Sequence, residues 1–317
     1  MQGVILAAGR GKRLYPITVT RSKAMQPVAG KPIVERVMDL LVANGVGDFV
    51  LVISSDDKDI TRYFQKDSDI EADVRFIYQV ERKGMAHALM TAAPLIGEDF
   101  ILSACDNLVA EADVARLVRF WQTTPKPNAI LTLMPVESER IRSGATVGLD
   151  GSWITHIIEK PRPEEILSNF ASLPLYLFSP RIFDYLPEVP LSARGEYELQ
   201  DAIQMLIARD GQVGSVVVDR RLTLTNAADL LAINRDYLMR DAGPPHLEPH
   251  SVGPNTQLVT PLRIEQDASI GRDCIIGPNV YVEGGCHIGN DVTLRDAVVL
   301  RGARVADGET RAGQVVV

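Results

Sequence analysis

The sequence predicts an α/β protein in which a Rossmann-like, mostly parallel sheet is followed by a parallel β-helix of hexapeptide repeats. Three observations carry this reading. Short aliphatic runs alternate with amphipathic helical stretches up to about Arg240. The next stretch, DAGPPHLEPHSVGP, is rich in proline and glycine, which suppress helix and sheet alike, and marks a linker over 241–251. From Val252 onward every sixth residue is apolar: Val252, Leu258, Ile264, Ile270, Ile276, Val282, Ile288, Leu294, Leu300, Ala306 and Ala312. The expected domains are therefore 1–240 and 252–317, joined by the linker.

In chain order, Val4 to Leu6 forms a strand and AAGRGKRL a glycine loop. Ile33, Val37, Leu40 and Leu41 then lie at helical spacing before an Asn44-Gly45 stop. FVLVIS reads as a strand, DDKDITRYFQ as a capped helix, VRFIYQ as a strand, GMAHALMTAAPLI as a helix and FILSACD as a strand. Strands apolar throughout and separated by helices imply a parallel sheet covered by helices. AILTLMPV, ITHIIEKP and LPLYLFSP are further strands; EYELQDAIQMLIARDG and AADLLAINRDYLMR are helices. In the repeat region, small or aliphatic residues precede the inward series by two positions (Ala268, Cys274, Val280, Cys286, Val292, Val298), and Gly271, Gly277 and Gly289 follow it. Cys274 and Cys286 are core filler.

Composition narrows the function. The 317 residues are 46% hydrophobic and 23% charged, an ordinary globular balance, with no run long enough to span a bilayer. The N-terminus lacks a basic region and a cleavage site and reads as a first strand, so a cytoplasmic protein is expected. Three cysteines, Cys105, Cys274 and Cys286, have no metal-ligand spacing, and no disulfide is expected. A net charge of −8 argues against nucleic-acid binding, so an anionic ligand must be met by locally gathered cations.

Gly9-x-Gly11 fits a tight turn and a phosphate cradle equally; its spacing excludes a Walker A loop and GxGxxG. Arg10, Lys12 and Arg13 on that loop, with Lys23 beyond it, suit a triphosphate. Asp106-Asn107 closes a strand, either as a turn or as a carboxylate for Mg²⁺ at the carboxyl end of a parallel sheet. Glu159-Lys160-Pro161 closes another, as a surface pair or a ligand site, and GEYELQD opens a helix with acidic residues.

Together, LAAGRGKRL, SKAMQP, QVERKGMAHAL, CDN, EKP, SNFASLPLYLF and EYELQD resemble, in order, the motifs of the sugar-1-phosphate nucleotidylyltransferases. The likeness is to those of the glucose-1-phosphate thymidylyltransferase and uridylyltransferase kind that carry a C-terminal left-handed β-helix. The resemblance implies attack of a sugar-1-phosphate, such as a hexose-1-phosphate, on the α-phosphorus of a nucleoside triphosphate, dTTP or UTP, with release of pyrophosphate. It implies Arg13 on the departing pyrophosphate, Lys23 on the reacting phosphates, Asp106 on Mg²⁺ and Lys160 on the sugar phosphate. Leu6, Ala8, Gly9, Gly11, Gln79 and Gly84 would shape the nucleotide pocket, and Glu159 and Asn169 would bond sugar hydroxyls.

Four positions depart from the pattern. Thr223 stands where a second metal carboxylate is often found, Cys105 and Pro174 replace glycines, and Ala24 replaces a base-reading glutamine. Two alternatives follow: a weak paralogue acting as a regulatory or assembly subunit, and a bifunctional enzyme whose β-helix transfers an acyl group with His287 as base. A homo-oligomer without membrane or nucleic-acid partners is expected.

Overall fold

The computed structural model describes residues 1–9, 11–240, 246–247 and 251–317. Arg10 and most of the expected linker lie outside the described residues. By packing, the chain divides into two compact units: Met1–Gly9 with Val34–Arg221, and Arg10–Ile33 with Leu222–Val317. The division does not follow the boundary near 240. The loop bearing Gly11, Arg13 and Lys23, and the final helix, belong to the unit that holds the repeats.

The first strand is β1 (Gln2–Leu6), and the short strands β2 (Pro27–Val28) and β3 (Lys31–Pro32) form a hairpin in the second unit. They are followed by α1 (Ile33–Val42), β4 (Asp48–Ile53), α2 (Lys58–Lys66), β5 (Asp73–Tyr78), α3 (Met85–Ala92) and β6 (Phe100–Ala104). Helix α2 begins where the Asp57 carboxylate accepts the Ile60 amide at 3.3 Å, as its sequence predicts. The remaining elements are α4 (Glu111–Thr123), β7 (Ala129–Pro135), α5 (Ser138–Ile141), β8 (Ala145–Asp150), β9 (Trp153–Glu159), β10 (Phe170–Phe178), α6 (Leu199–Arg209), β11 (Val213–Val217) and α7 (Ala227–Arg240).

Nine strands form the sheet of the first unit, in the order β5-β4-β1-β6-β10-β7-β11-β9-β8. The half running from β5 to β6 is parallel, as expected. Beyond it the sheet is mixed rather than mostly parallel: β10 runs antiparallel to both β6 and β7, and β8 to β9. The core gathers Val4, Val50, Val52, Leu102, Leu131 and Tyr176 from the strands with Leu89, Ile203 and Leu206 from α3 and α6. Burying a side chain of this size contributes about 1.5–3 kcal/mol.

In the second unit three parallel sheets stack coil upon coil. Leu262 pairs with Val280, Ser269 with His287 and Ile275 with Thr293, each 18 residues on, or three faces of six residues. This is a parallel β-helix. Its first strand among the described residues is His246–Leu247, paired with Arg263 and Ile264, so the repeats reach back before Val252 and into the expected linker. The six-residue count then slips by one. Val282 pairs with Val299 and Ile288 with Val305, 17 residues on, so Val299 and Val305 enter the core while Ala306 and Ala312 are exposed. Ala297, not Val298, fills the small inner position. Cys274 and Cys286 lie in the core as expected, and burial raises the Cys286 thiol to about 11. Helix α7 packs on the strands Ala297–Val299 and Val315–Val316 and on the hairpin strand β2.

Candidate active site

In the first unit the parallel strands β5, β4, β1 and β6 end at one edge. Leu6 sits beside Val52 and Ala104, and Ile53 beside Tyr78. The ladder continues a step past the strands: Ala7 N donates to Val52 O at 2.8 Å, Cys105 N to Leu6 O at 3.2 Å and Gln79 N to Ile53 O at 2.8 Å. Ala8-Gly9, Ser54, Gln79 and Asp106 therefore stand in a row where α/β sheets bind ligands. The sequence places Leu6, Ala8, Gly9, Gln79 and Asp106 at a site, and the structure brings these together.

Gly9 is exposed, and a Cβ built on it meets no heavy atom within 4 Å. Intramolecular packing therefore sets no demand for glycine there; close approach of a ligand to the backbone would. The neighbouring Ala8 carbonyl is held by Arg82, whose Nε donates to it at 2.7 Å and whose other arm reaches the Ser54 hydroxyl. Sequence reading missed Arg82. Its signal was a cation inside the Gln79-to-Gly84 segment.

Gln79 is buried, and its Nε2 faces the Gly84 carbonyl at 3.3 Å and His87 Nδ1 at 3.0 Å. Nε2 thus has two near neighbours, and it donates to the Gly84 carbonyl. Gly84 has φ of +98°, and a Cβ there would fall 2.5 Å from the Tyr197 carbonyl oxygen. Its glycine is thus required by packing: Ala86 N donates to Tyr197 O at 3.1 Å, and Tyr197 N to Lys83 O at 2.7 Å. The GEYELQD segment opens α6 with Asp201 in its first turn, as expected, and through Tyr197 it also closes on Gly84.

Asp106 and Asn107 are 4% and 1% exposed. Both amide atoms of Asn107 are buried without a hydrogen-bond partner. Asp106 interacts electrostatically with Arg221, whose guanidinium is pulled down by burial and held up by the charges of Asp106 and Tyr176. Among the described residues no three His, Cys, Asp or Glu side chains gather around a common point. A buried carboxylate beside the unpartnered Asn107 amide fits a divalent cation shared with substrate phosphates.

Glu159 and Lys160 lie at the end of β9. Lys160 takes a left-handed φ of +46° and its amide donates to Gly144 O at 2.7 Å, so its ammonium stands exposed on a fixed backbone. Burial pushes the Glu159 carboxyl up to about 7; Lys160 opposes the shift, and Glu198 adds to it. Glu198 is itself buried and paired with Arg194 at 2.6 Å. Asn169 is exposed just before β10, and its carbonyl accepts from Val136 N at 2.9 Å. Pro174 sits where the β10–β7 register shifts between Leu173 and Tyr176, a bulge in which a missing N–H costs no ladder bond. The departure at Pro174 is thus accommodated by the strand itself.

The second unit holds Gly11, Arg13 and Lys23. Gly11 has φ of +62°, and its carbonyl accepts from Leu14 N at 2.9 Å and Thr18 Oγ1 at 3.3 Å. Arg13 is exposed, while Lys23 opens a short 3₁₀ turn in which Ala24 is fully buried and presents nothing to a ligand. Thr223 also belongs to this unit. His287 is exposed on the β-helix, with Nδ1 2.7 Å from Ser269 Oγ.

Residues 2–238 match the nucleotidyl transferase family, and residues 258–315 match the GMPPB C-terminal domain. With the carboxyl-edge row and the repeats, these matches place the chain in the sugar-1-phosphate nucleotidylyltransferase family. Among its relatives, UTP–glucose-1-phosphate uridylyltransferase AglF of Haloferax volcanii is 36% identical over 69% of this chain and 88% of its own length. A glucose-1-phosphate thymidylyltransferase of Streptomyces griseus is 29% identical over 96% of this chain and 89% of its own. A structure of UDP-glucose pyrophosphorylase complexed with UDP-glucose shares the fold, with a TM-score of 0.68 and 22% identity over 75% of this chain and 98% of that one. No described helix is long and apolar enough to cross a membrane.

Proposed function

We propose that the chain transfers the nucleotidyl group of dTTP or UTP to a hexose-1-phosphate. The observation that carries the reading is the row of Ala8-Gly9, Gln79 and Asp106 along the carboxyl edge of four parallel strands. A phosphate oxygen of the sugar attacks the α-phosphorus in line, and pyrophosphate leaves; catalysis lies in positioning and charge.

The roles follow from residue chemistry. Gly9 and Gly11 let the backbone approach the nucleotide, with Leu6 and Ala8 forming the pocket floor. With Nε2 of Gln79 turned towards Gly84 and His87, its Oε1 is the atom left for the base. An acceptor at that point suits the N3–H of a pyrimidine, which both uracil and thymine carry, so it favours these bases together without choosing between them. The names of the two relatives support the same pair. Arg13 takes the departing pyrophosphate and Lys23 the reacting phosphates. Lys160, exposed on its fixed turn, takes the phosphate of the sugar, while Glu159 and Asn169 bond its hydroxyls. Asp106, with the substrate phosphates, holds Mg²⁺, which when bound neutralises charge building on the phosphates. These substrates are those of the cytoplasm.

The test is pyrophosphate release with Mg²⁺ across a panel of nucleoside triphosphates and sugar-1-phosphates. Turnover with UTP or dTTP and a hexose-1-phosphate is expected. Turnover only with purine triphosphates would overturn the assignment of Gln79, and none with any pair would overturn the reading as a whole.

A further inference from the structure

The segment bearing Arg13 and Lys23 is fastened to the repeats by an ion pair whose carboxylate is buried. Arg21 meets Glu283 with both arms of its guanidinium, NH1 to Oε1 at 2.6 Å and NH2 to Oε2 at 2.8 Å. Glu283 is only 4% exposed, and its Oε2 also accepts the Arg301 amide at 2.8 Å. A two-pronged pair of this kind fixes direction as well as distance. Arg21 is two residues from Lys23, and the turn between them is stapled by the fully buried Gln26, whose Nε2 faces the Ser22 carbonyl at 3.2 Å. Gly11 lies against Lys23, for a Cβ on the glycine would be 3.0 Å from that of the lysine. On the far side, Ala29 N donates to Asn234 Oδ1 of α7 at 2.8 Å, and Asn234 Nδ2 to Pro27 O at 3.0 Å. The segment is thus pinned before and after Lys23 by the unit that contains the β-helix.

We propose that Glu283 is a positioning residue for nucleotidyl transfer: through Arg21 it sets the segment carrying Arg13 and Lys23, so the β-helix takes part in presenting the triphosphate-binding cations. The proposal rests on the phosphate roles given above to Arg13 and Lys23.

The test uses the full chain with Glu283→Gln, Arg21→Lys, Arg21→Ala and the double variant Arg21→Ala/Glu283→Gln. Glu283→Gln retains an oxygen for the Arg301 amide but sets an amide group against one arm of Arg21. Arg21→Lys keeps the charge, loses the fork and leaves the β-helix side chains untouched. Each single variant is expected to lower kcat/KM for the nucleoside triphosphate about tenfold or more while leaving KM for the sugar-1-phosphate unchanged. The double variant should be no worse than the poorer single one. Hydrogen exchange gives a readout independent of turnover: amides in 11–33 should exchange faster, while those of the core strands Val280–Val282 and Ala297–Val299 keep their protection. Unchanged triphosphate kinetics, equal loss for both substrates, additive losses, or unchanged exchange in 11–33 would each overturn the proposal. If the protein turned over no substrate pair, the exchange experiment would still decide whether the pair holds the segment.

Discussion

The β-helix and the carboxyl edge of the sheet use glycine in opposite ways. In the repeats, Gly253 and Gly271 each face the backbone of the next coil: a Cβ on Gly253 would lie 2.5 Å from Arg272 N, and one on Gly271 would press into the Gly289 carbonyl. Those glycines exist because the neighbouring coil fills the space. At the carboxyl edge, a Cβ on Gly9 meets nothing within 4 Å, and no left-handed φ calls for glycine there. The contrast separates a glycine that packing demands from one on which packing sets no demand. Gly84 shows that packing also demands a glycine within the first unit, because a Cβ there would meet Tyr197.

The largest effect expected from breaking this comparison is at Asp106. Asp106→Ala should lower kcat about 10²–10³-fold, the range for losing a preorganised charge at a transition state, with melting of the β-helix unit unchanged by circular dichroism. A variant retaining wild-type turnover would remove Asp106 from the reaction.

Next comes Glu159 at the end of β9, which carries a charge that the fold disfavours. Its carboxyl titrates near 7 in the folded protein against an ordinary value of 4.5, chiefly through burial. Between those values the native state binds the proton more tightly, so this contribution to stability is present at low pH and lost as pH rises through about 7. Glu159→Gln should therefore raise the midpoint of urea unfolding at pH 8 and leave it unchanged at pH 4. A lower midpoint at pH 8 would show the carboxylate to be stabilising. The smallest effect concerns the repeats: Cys274 and Cys286 are 0% and 1% exposed, so labelling of these two thiols in a Cys105→Ser background should proceed only at the rate of unfolding. Fast labelling would mean that the coils open locally.

Much of this was legible in the sequence because it follows local rules. Period-six spacing found the β-helix, apolar strand runs found β1, β4, β5 and β6, and AADLLAINRDYLMR gave α7 residue for residue. Elements with weaker local signals went unread. Helix α4 has Ala110 at its N-cap and so no side-chain cap, while the short strands β8 and β11 contain Gly148, Gly214 and Ser215, which dilute their strand character. The one-residue slip after Leu294 was invisible because Leu300, Ala306 and Ala312 are apolar in the wrong phase as well. At the site, the motif residues could be marked, but Arg82 on the Ala8 carbonyl and Arg21 on Glu283 join positions 74 and 262 residues apart. Nothing local in either sequence neighbourhood announces its partner. The grouping of 10–33 with the repeats was hidden for the same reason.

The most direct measurement compares Gly9→Ala with Gly271→Ala in both unfolding free energy and kcat/KM for the triphosphate. Gly9→Ala should unfold within about 0.5 kcal/mol of the wild type while kcat/KM falls about tenfold or more. Gly271→Ala should lose about 1–3 kcal/mol through overpacking yet keep its kcat/KM wherever it remains folded. A fully active Gly9→Ala, or one destabilised as much as Gly271→Ala, would contradict the assignment of the carboxyl edge to the nucleotide.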